Sequence, residues 1–174
     1  MNNRNRVLER FLPAFVEHGI ENTSISKLCD YGRINPNTVY QIFESKEEIV
    51  ISCAQYVTDK MVYELRKGLN QHTGSSQELG EFFFAVFKKY KNEIRFCMQV
   101  MTSPNERYNF ARNSSEDMIR TWSDEVADVL GYEREWFECK FRLFLSVMYH
   151  YCMTDDEKSA EKQCRFIYSI EPNN

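Results

Sequence analysis

The sequence predicts an all-α fold of about nine helices, and three observations carry that expectation. Thirteen Phe and ten Tyr stand against six Gly and four Pro, which supplies bulk for helix packing and few of the turns that separate short strands. Apolar residues recur at i, i+3 and i+4 through most of the chain. Helix start signals, a Ser, Thr or Asn followed by Pro or Glu at the right offset, precede several of these stripes.

Residues 3–18 carry Val7, Leu8, Phe11 and Phe15 on one stripe and end at Gly19; Pro13 inside the pattern predicts a kink or a tolerated break. Thr23 or Ser24 caps a helix of about two turns that holds Ile25, Leu28 and Cys29 and stops at Tyr31-Gly32. Asn35 caps a third short helix, reaching Ile42, with Pro36 at its first position, where a missing N–H costs nothing. Ser45-Lys46-Glu47-Glu48 reads as a capping box that opens a long helix over about 45–69, striped by Ile49, Val50, Cys53, Tyr56, Val57 and Met61. His72-Thr73-Gly74-Ser75-Ser76 is a loop. Leu79, Phe82, Phe83, Val86, Phe87 and Tyr90 stripe a fifth helix and Ile94 to Met101 a sixth, the two meeting near Asn92. Ser103-Pro104-Asn105 is a turn, and Ile119, Trp122, Val126, Val129 and Leu130 stripe a seventh helix up to Gly131. Phe137, Phe141, Phe144, Met148 and Tyr151 alternate at four and three residues in an eighth. Thr154-Asp155-Asp156-Glu157 supplies a second capping box, and Ala160, Cys164, Ile167 and Tyr168 belong to a ninth helix.

Composition narrows the function classes. No apolar stretch near the N-terminus has the length of a secretory signal, and none elsewhere approaches the roughly 20 residues of a membrane span, so a cytoplasmic protein is expected. Six Cys without a C-x-x-C pair and three scattered His argue against a zinc site or a disulfide scaffold, and no metal or cofactor is expected. Glu93 with Arg95, or Asp155 with Asp156, are charged groups at helix starts, solvated or capping, so no catalytic residue and no enzyme activity is assigned.

A helix, a two-turn helix, a tight turn and another two-turn helix within 43 residues form a helix-turn-helix, whose later short helix lies in the major groove of DNA. Its polar face, Asn35, Asn37, Thr38 and Gln41, consists of groups that bond base edges or phosphates, while Ile34, Val39 and Phe43 face inward. Tyr40 offers a hydroxyl on a rigid ring, and Lys46 sets a cation beside the free N–H groups of the next helix start. Charge weighs the other way: the chain carries −4, and residues 1–50 hold six basic against seven acidic side chains, so binding must rest on few phosphate contacts and on dimer avidity.

Thr23-Ser24-Ile25, then Asn35-Pro36-Asn37-Thr38-Val39-Tyr40-Gln41-Ile42-Phe43, then Ser45-Lys46-Glu47 resemble the DNA-binding segment of TetR-family transcriptional regulators over roughly residues 5–52. Thr38, Val39, Tyr40, Phe43, Ser45, Lys46, Glu47 and Ile49 fall in register with it, whereas Cys29 replaces an Ala, Arg33 the turn Gly, Asn35 a Ser and Asn37 a Gly. Arg33 is the departure with physical weight, because that position often takes a left-handed backbone; Gly32 is the neighbour able to absorb the turn. The resemblance implies that Tyr40 and Lys46 hold phosphates, that Pro36, Asn37 and Thr38 approach bases or sugar, and that Thr23 touches the DNA backbone, with Ser24 beside it.

It also implies a DNA-binding domain over residues 1–46 and, over 47–174, a helical domain that binds an effector and dimerises. The expected function is a DNA-binding regulator, a repressor released from a palindromic operator by a small, mostly apolar molecule. The alternative is a helical protein-interaction module that keeps the helix-turn-helix as a packing element. The eighth-helix seam of Phe137, Phe141, Phe144, Met148 and Tyr151, with Cys164 and Ile167, is assigned to the homodimer's four-helix bundle. Phe83, Phe87, Met98, Met101, Met118, Trp122 and Tyr149 are assigned to an effector pocket among the middle helices, and His150 is a candidate polar group inside it.

Overall fold

The computed structural model describes residues 3–72 and 75–171. Among them lie nine α-helices and no strand: α1 Asn3–His18, α2 Ile25–Gly32, α3 Pro36–Ile42, α4 Lys46–Asn70, α5 Ser76–Lys89, α6 Lys91–Thr102, α7 Asn109–Leu130, α8 Arg134–Thr154 and α9 Glu157–Tyr168, with a 3-10 turn at Glu106–Tyr108. The predicted all-α fold and the order of its helices are therefore observed. Thr73 and Gly74 of the predicted loop, and residues 172–174 at the end, lie outside the described residues. No described helix is long and apolar enough to cross a membrane.

The chain forms two compact units, one holding the segment up to Lys60 with Asn92–Asn113, the other Met61–Lys91 with the segment from Ser114 onward. This is a partition by packing. The boundary between residues 46 and 47 is a division by role, which packing does not test.

In the first unit, α1 supplies the central ridge. Phe11 and Phe15 are fully buried with Leu28 of α2, Val39 of α3 and Ile49 and Val50 of α4, and each such side chain contributes about 1.5–3 kcal/mol on burial. Pro13 breaks nothing: α1 runs straight through it, because Pro13 sits on the exposed side, where water can take up the carbonyl it leaves unbonded. Ser24 caps α2 by accepting the Lys27 N–H at 3.2 Å. The end of α2 resolves the departure at Arg33. Arg33 itself takes the left-handed conformation, φ 52° and ψ 50°, with its N–H on Asp30 O at 3.3 Å and the Ile34 N–H on Cys29 O at 3.0 Å. That bond pattern is a Schellman motif with Arg where Gly is usual. Gly32 does not absorb the turn. It is helical, and a Cβ there would lie 2.9 Å from Phe11 Cε1, so its lack of a side chain allows α2 to approach α1.

In the second unit, α8 forms the spine. Phe137, Phe141 and Phe144 stack in a column with centroid spacings of 6.4 and 6.1 Å; Phe87 of α5 meets Phe144 edge-on at 5.3 Å, and Tyr168 of α9 tilts against it at 6.0 Å. Gly80 lets α5 and α9 touch, since a Cβ there would fall 2.4 Å from Tyr168 Cε1 and the Tyr168 hydroxyl donates to Gly80 O at 2.5 Å. Two sequence expectations fail in this unit. Val129, placed on the α7 stripe, is 56% exposed. The second capping box is replaced by a shorter device: Asp155 ends α8 at φ 60°, and Asp156 caps α9 by accepting the Ser159 N–H at 3.0 Å.

Candidate functional sites

The candidate DNA-reading surface is the outward face of α3. Asn35 Oδ1 accepts the Asn37 N–H at 2.8 Å and Pro36 occupies the first helical position, so seven residues hold a helix too short to be stable alone. Val39 and Phe43 anchor its inner side, and Ile34 is half-buried. Pro36, Asn37, Tyr40 and Gln41 are exposed, Tyr40 at 61%, and Thr38 is half-buried. Asn35 is exposed as expected, but its carbonyl oxygen is committed to the cap, which leaves only its amide N–H groups for a ligand. Ser24 is exposed with its oxygen likewise committed to a cap. Thr23 departs from expectation: it is fully buried, and its hydroxyl donates to Gly19 O at 2.7 Å, holding the turn before α2.

The elbow from α3 to α4 carries a cluster that the sequence did not reveal. Arg4 Nη2 donates to Glu48 Oε1 at 2.7 Å and to Ser52 Oγ at 2.8 Å, Nη1 reaches Ile42 O at 3.4 Å, and the guanidinium stands 4.6 Å over the Phe43 ring. The expected capping box is half formed: Ser45 Oγ accepts the Glu48 N–H at 3.1 Å, but Glu48 reaches past Ser45 to the Glu44 N–H at 2.7 Å. That backbone bond, then the Arg4 contact, holds the Glu48 carboxyl below its ordinary range against the opposing effect of partial burial. The elbow thus fixes where Tyr40 and Lys46 stand. In the same unit α6 braces α1, with Phe96 stacked on Phe15 at 5.5 Å and Gln99 Oε1 accepting the Ile20 N–H at 3.1 Å, while Arg107 pairs with Glu47 at 3.3 Å.

The second unit contains a cavity of about 40 Å³ among α5, α7, α8 and α9, walled by Leu79, Phe83, Phe137, Phe141, Phe144 and Lys140, among others. Of the residues assigned to an effector pocket, only Phe83 lines it. Phe87 and Trp122 are buried behind this wall, Trp122 at 6.0 Å from Phe83. Met118 is half-buried, and Tyr149 and His150 are exposed, so these three do not form it. Met98 and Met101 belong to the other unit, on α6. Lys140 was overlooked, although a charge at Phe137 plus three within an apolar stripe was a legible signal. It is 8% exposed, and its ammonium donates to Ile170 O at 2.7 Å and Tyr168 O at 3.3 Å. Burial pushes that ammonium below its ordinary range, while the charge of Glu171 draws it back up.

The dimer seam is corrected by burial. Phe137, Phe141, Phe144, Met148, Tyr151, Cys164 and Ile167 are all at most 6% exposed within the single chain, so they are its own core and cavity wall. The stripe two residues over on α8, Cys139, Leu143, Ser146, His150 and Met153, has the same four-three spacing and is exposed throughout, as is Phe166 of α9. Leu143, Met153 and Phe166 are 53%, 66% and 69% accessible. The six cysteines are thiols and not disulfides, and burial pushes the thiol of Cys97 up to about 12 and that of Cys164 to about 11, far from a reactive thiolate. Among the described residues no three His, Cys, Asp or Glu gather as a metal would require.

Residues 13–53 match the family model described as bacterial regulatory proteins, tetR family. No curated protein matches the chain. Among solved structures, a fatty acid degradation regulator FadR from Bacillus halodurans is similar over 100% of this chain and 99% of its own, with a TM-score of 0.77 at 16% identity. A TetR transcriptional regulator from Legionella pneumophila covers 96% of each chain with a TM-score of 0.77 at 19% identity. A TetR-family regulator from Bordetella parapertussis 12822 covers 97% of this chain and 95% of its own with a TM-score of 0.67 at 15% identity. Identities this low speak for the fold alone. Residues 13–53 therefore carry a tetR-family DNA-binding segment, set in an all-α fold that these regulators share.

Proposed function

We propose that the protein is a cytoplasmic homodimeric repressor that leaves a palindromic operator when a small, mostly apolar effector enters the second unit. The observation that carries the DNA-reading half is the α3 face: Asn37, Tyr40 and Gln41 stand exposed on a helix held from behind by Val39 and Phe43 and at its end by Arg4. In this reading Tyr40 and Lys46 hold phosphates, Pro36, Asn37, Thr38 and Gln41 approach bases or sugar, and Asn35 contributes its amide N–H groups. Residues 1–46 carry the DNA role, and 47–174 carry the effector and the dimer contact. The dimer forms through the exposed stripe of α8, Leu143 and Met153 above all, with Phe166 of α9, because that apolar surface has no use inside the chain. A two-fold pair presents two α3 helices to two half-sites, and avidity then offsets the slightly acidic balance of each DNA-reading segment.

The acidic balance of residues 1–50 favours the interaction-module reading instead, and one experiment separates the two. Full-length protein is titrated by fluorescence anisotropy against DNA from upstream of its own gene and against scrambled DNA of the same length. Tighter binding to the upstream DNA supports the regulator; equal weak binding to both supports the module. Transcription in vitro from the same DNA must fall as protein is added, and a rise would make the protein an activator.

A further inference from the structure

The wall of the second unit's cavity is aliphatic and aromatic except at Lys140, Ser76 and Tyr168. Tyr168 commits its hydroxyl to Gly80 O. Lys140 is different. Its ammonium has three donors, of which two reach the carbonyls of Ile170 and Tyr168, and its other close neighbours are the rings of Trp136 and Tyr132 at 5.0 and 5.5 Å. None of these partners carries a charge. Glu171, the acid whose charge acts on it, spends its carboxylate on the Tyr132 hydroxyl at 2.8 Å. Holding the end of α9 requires a donor but not a cation, and a cation at 8% exposure without a directly paired anion among the described residues is costly to keep.

A second polar group around this cavity has an unmet demand. Trp122 is 3% exposed and its Nε1 hydrogen has no acceptor among the described residues. It stands one turn before Val126 on α7 and packs on Phe83, both of which line the cavity. Both demands are for an acceptor, and one of them is for negative charge.

We propose that this cavity takes an organic carboxylate, its apolar body among Phe83, Phe137, Phe141 and Phe144 and its carboxylate on the Lys140 ammonium. The inference rests on the cavity being the effector site. At about 40 Å³ the space holds a few water molecules but not an eight-carbon chain, so the ligand enters by parting the aromatic wall and binds to an opened form of the unit.

The test uses the full-length protein and three probes with one tail: octanoate, octan-1-ol and octylammonium, titrated by calorimetry. The expected order is octanoate at least tenfold tighter than octanol, with octylammonium weakest. Lys140→Met, checked for folding by its thermal melt, brings octanoate level with octanol, and Lys140→Arg retains the preference. The proposal is overturned if the wild-type protein binds octanol as tightly as octanoate, if it does not bind octanoate, or if Lys140→Met keeps the preference. The head-group order in the wild type decides the matter even where the Met variant does not fold. Octanoate that binds through Lys140 without changing operator affinity leaves the anion site standing and sinks the effector reading. Octanol that releases the operator as well as octanoate does the reverse.

Discussion

Replacing Arg4 by Met tests whether the α3–α4 elbow is what places the DNA-contacting groups. The substitution keeps an apolar stem against Phe43 and removes the guanidinium, with its bonds to Glu48 at 2.7 Å, Ser52 at 2.8 Å and Ile42 O at 3.4 Å. The Arg4 and Glu48 side chains are 37% and 34% exposed, so solvent screens the pair and it contributes only about 0.5–1 kcal/mol. The Ser52 bond adds about 1 kcal/mol, and the contact over the Phe43 ring adds about 0.5 kcal/mol. The loss is about 2 kcal/mol, which for a chain of this size lowers Tm by about 4–8 °C. Because the lost contacts bind α1 to the end of α3 and the start of α4, operator affinity falls in parallel. Thermal denaturation and anisotropy on the same preparation measure both. Acid gives an independent check. The Glu48 carboxyl titrates below its ordinary value of 4.5 in the fold, so its contribution is complete above that value and is lost as pH falls through the lower, folded one. The wild-type protein must therefore lose more stability than Glu48→Gln over that acid window. A variant at Arg4 with an unchanged melt, or a lowered melt with full operator affinity, refutes the role given to the elbow.

Other substitutions probe the remaining parts of the account. Arg33→Gly removes the strain of a left-handed Arg and should stabilise the fold by about 0.5–1 kcal/mol, read as a rise in denaturant midpoint. Gly32→Ala should do the opposite, since its Cβ would lie 2.9 Å from Phe11 Cε1 and α1 would have to shift. Leu143→Glu places a charge on the exposed stripe of α8 and should convert a dimer to a monomer in sedimentation at little cost in helix content, with operator affinity falling as avidity is lost.

The α3 face was legible because its signals are local: a capping Asn, a Pro at the first position and alternating buried and exposed residues lie within ten positions of one another. Arg33 was legible only in part: the sequence marked a left-handed turn position but left open whether Arg33 or Gly32 takes it, and Arg33 does. The elbow was hidden because Arg4 meets partners 38 to 48 residues away, a distance no periodicity reports. The stripe assigned to the dimer is buried for a reason within the pattern itself. Two stripes of identical four-three spacing run along α8, two residues apart, and periodicity ranks them only by hydrophobicity. The richer stripe, Phe137 to Tyr151, is the one the chain keeps for its own core; the poorer one, with Leu143 and Met153, is left exposed. Thr23 shows the reverse limit, since a residue placed by family register toward DNA spends its hydroxyl on the turn behind it.

The most direct test of the claim that this chain reads DNA through α3 and the start of α4 is the salt dependence of operator binding in the wild type, Tyr40→Phe and Lys46→Ala. The account predicts specific binding with a shallow slope of log affinity against log salt, weakening in both variants, a slope lowered by about one in Lys46→Ala, and unchanged melting temperatures. Wild-type binding that is nonspecific, or variants that bind with the affinity and slope of the wild type, would contradict it.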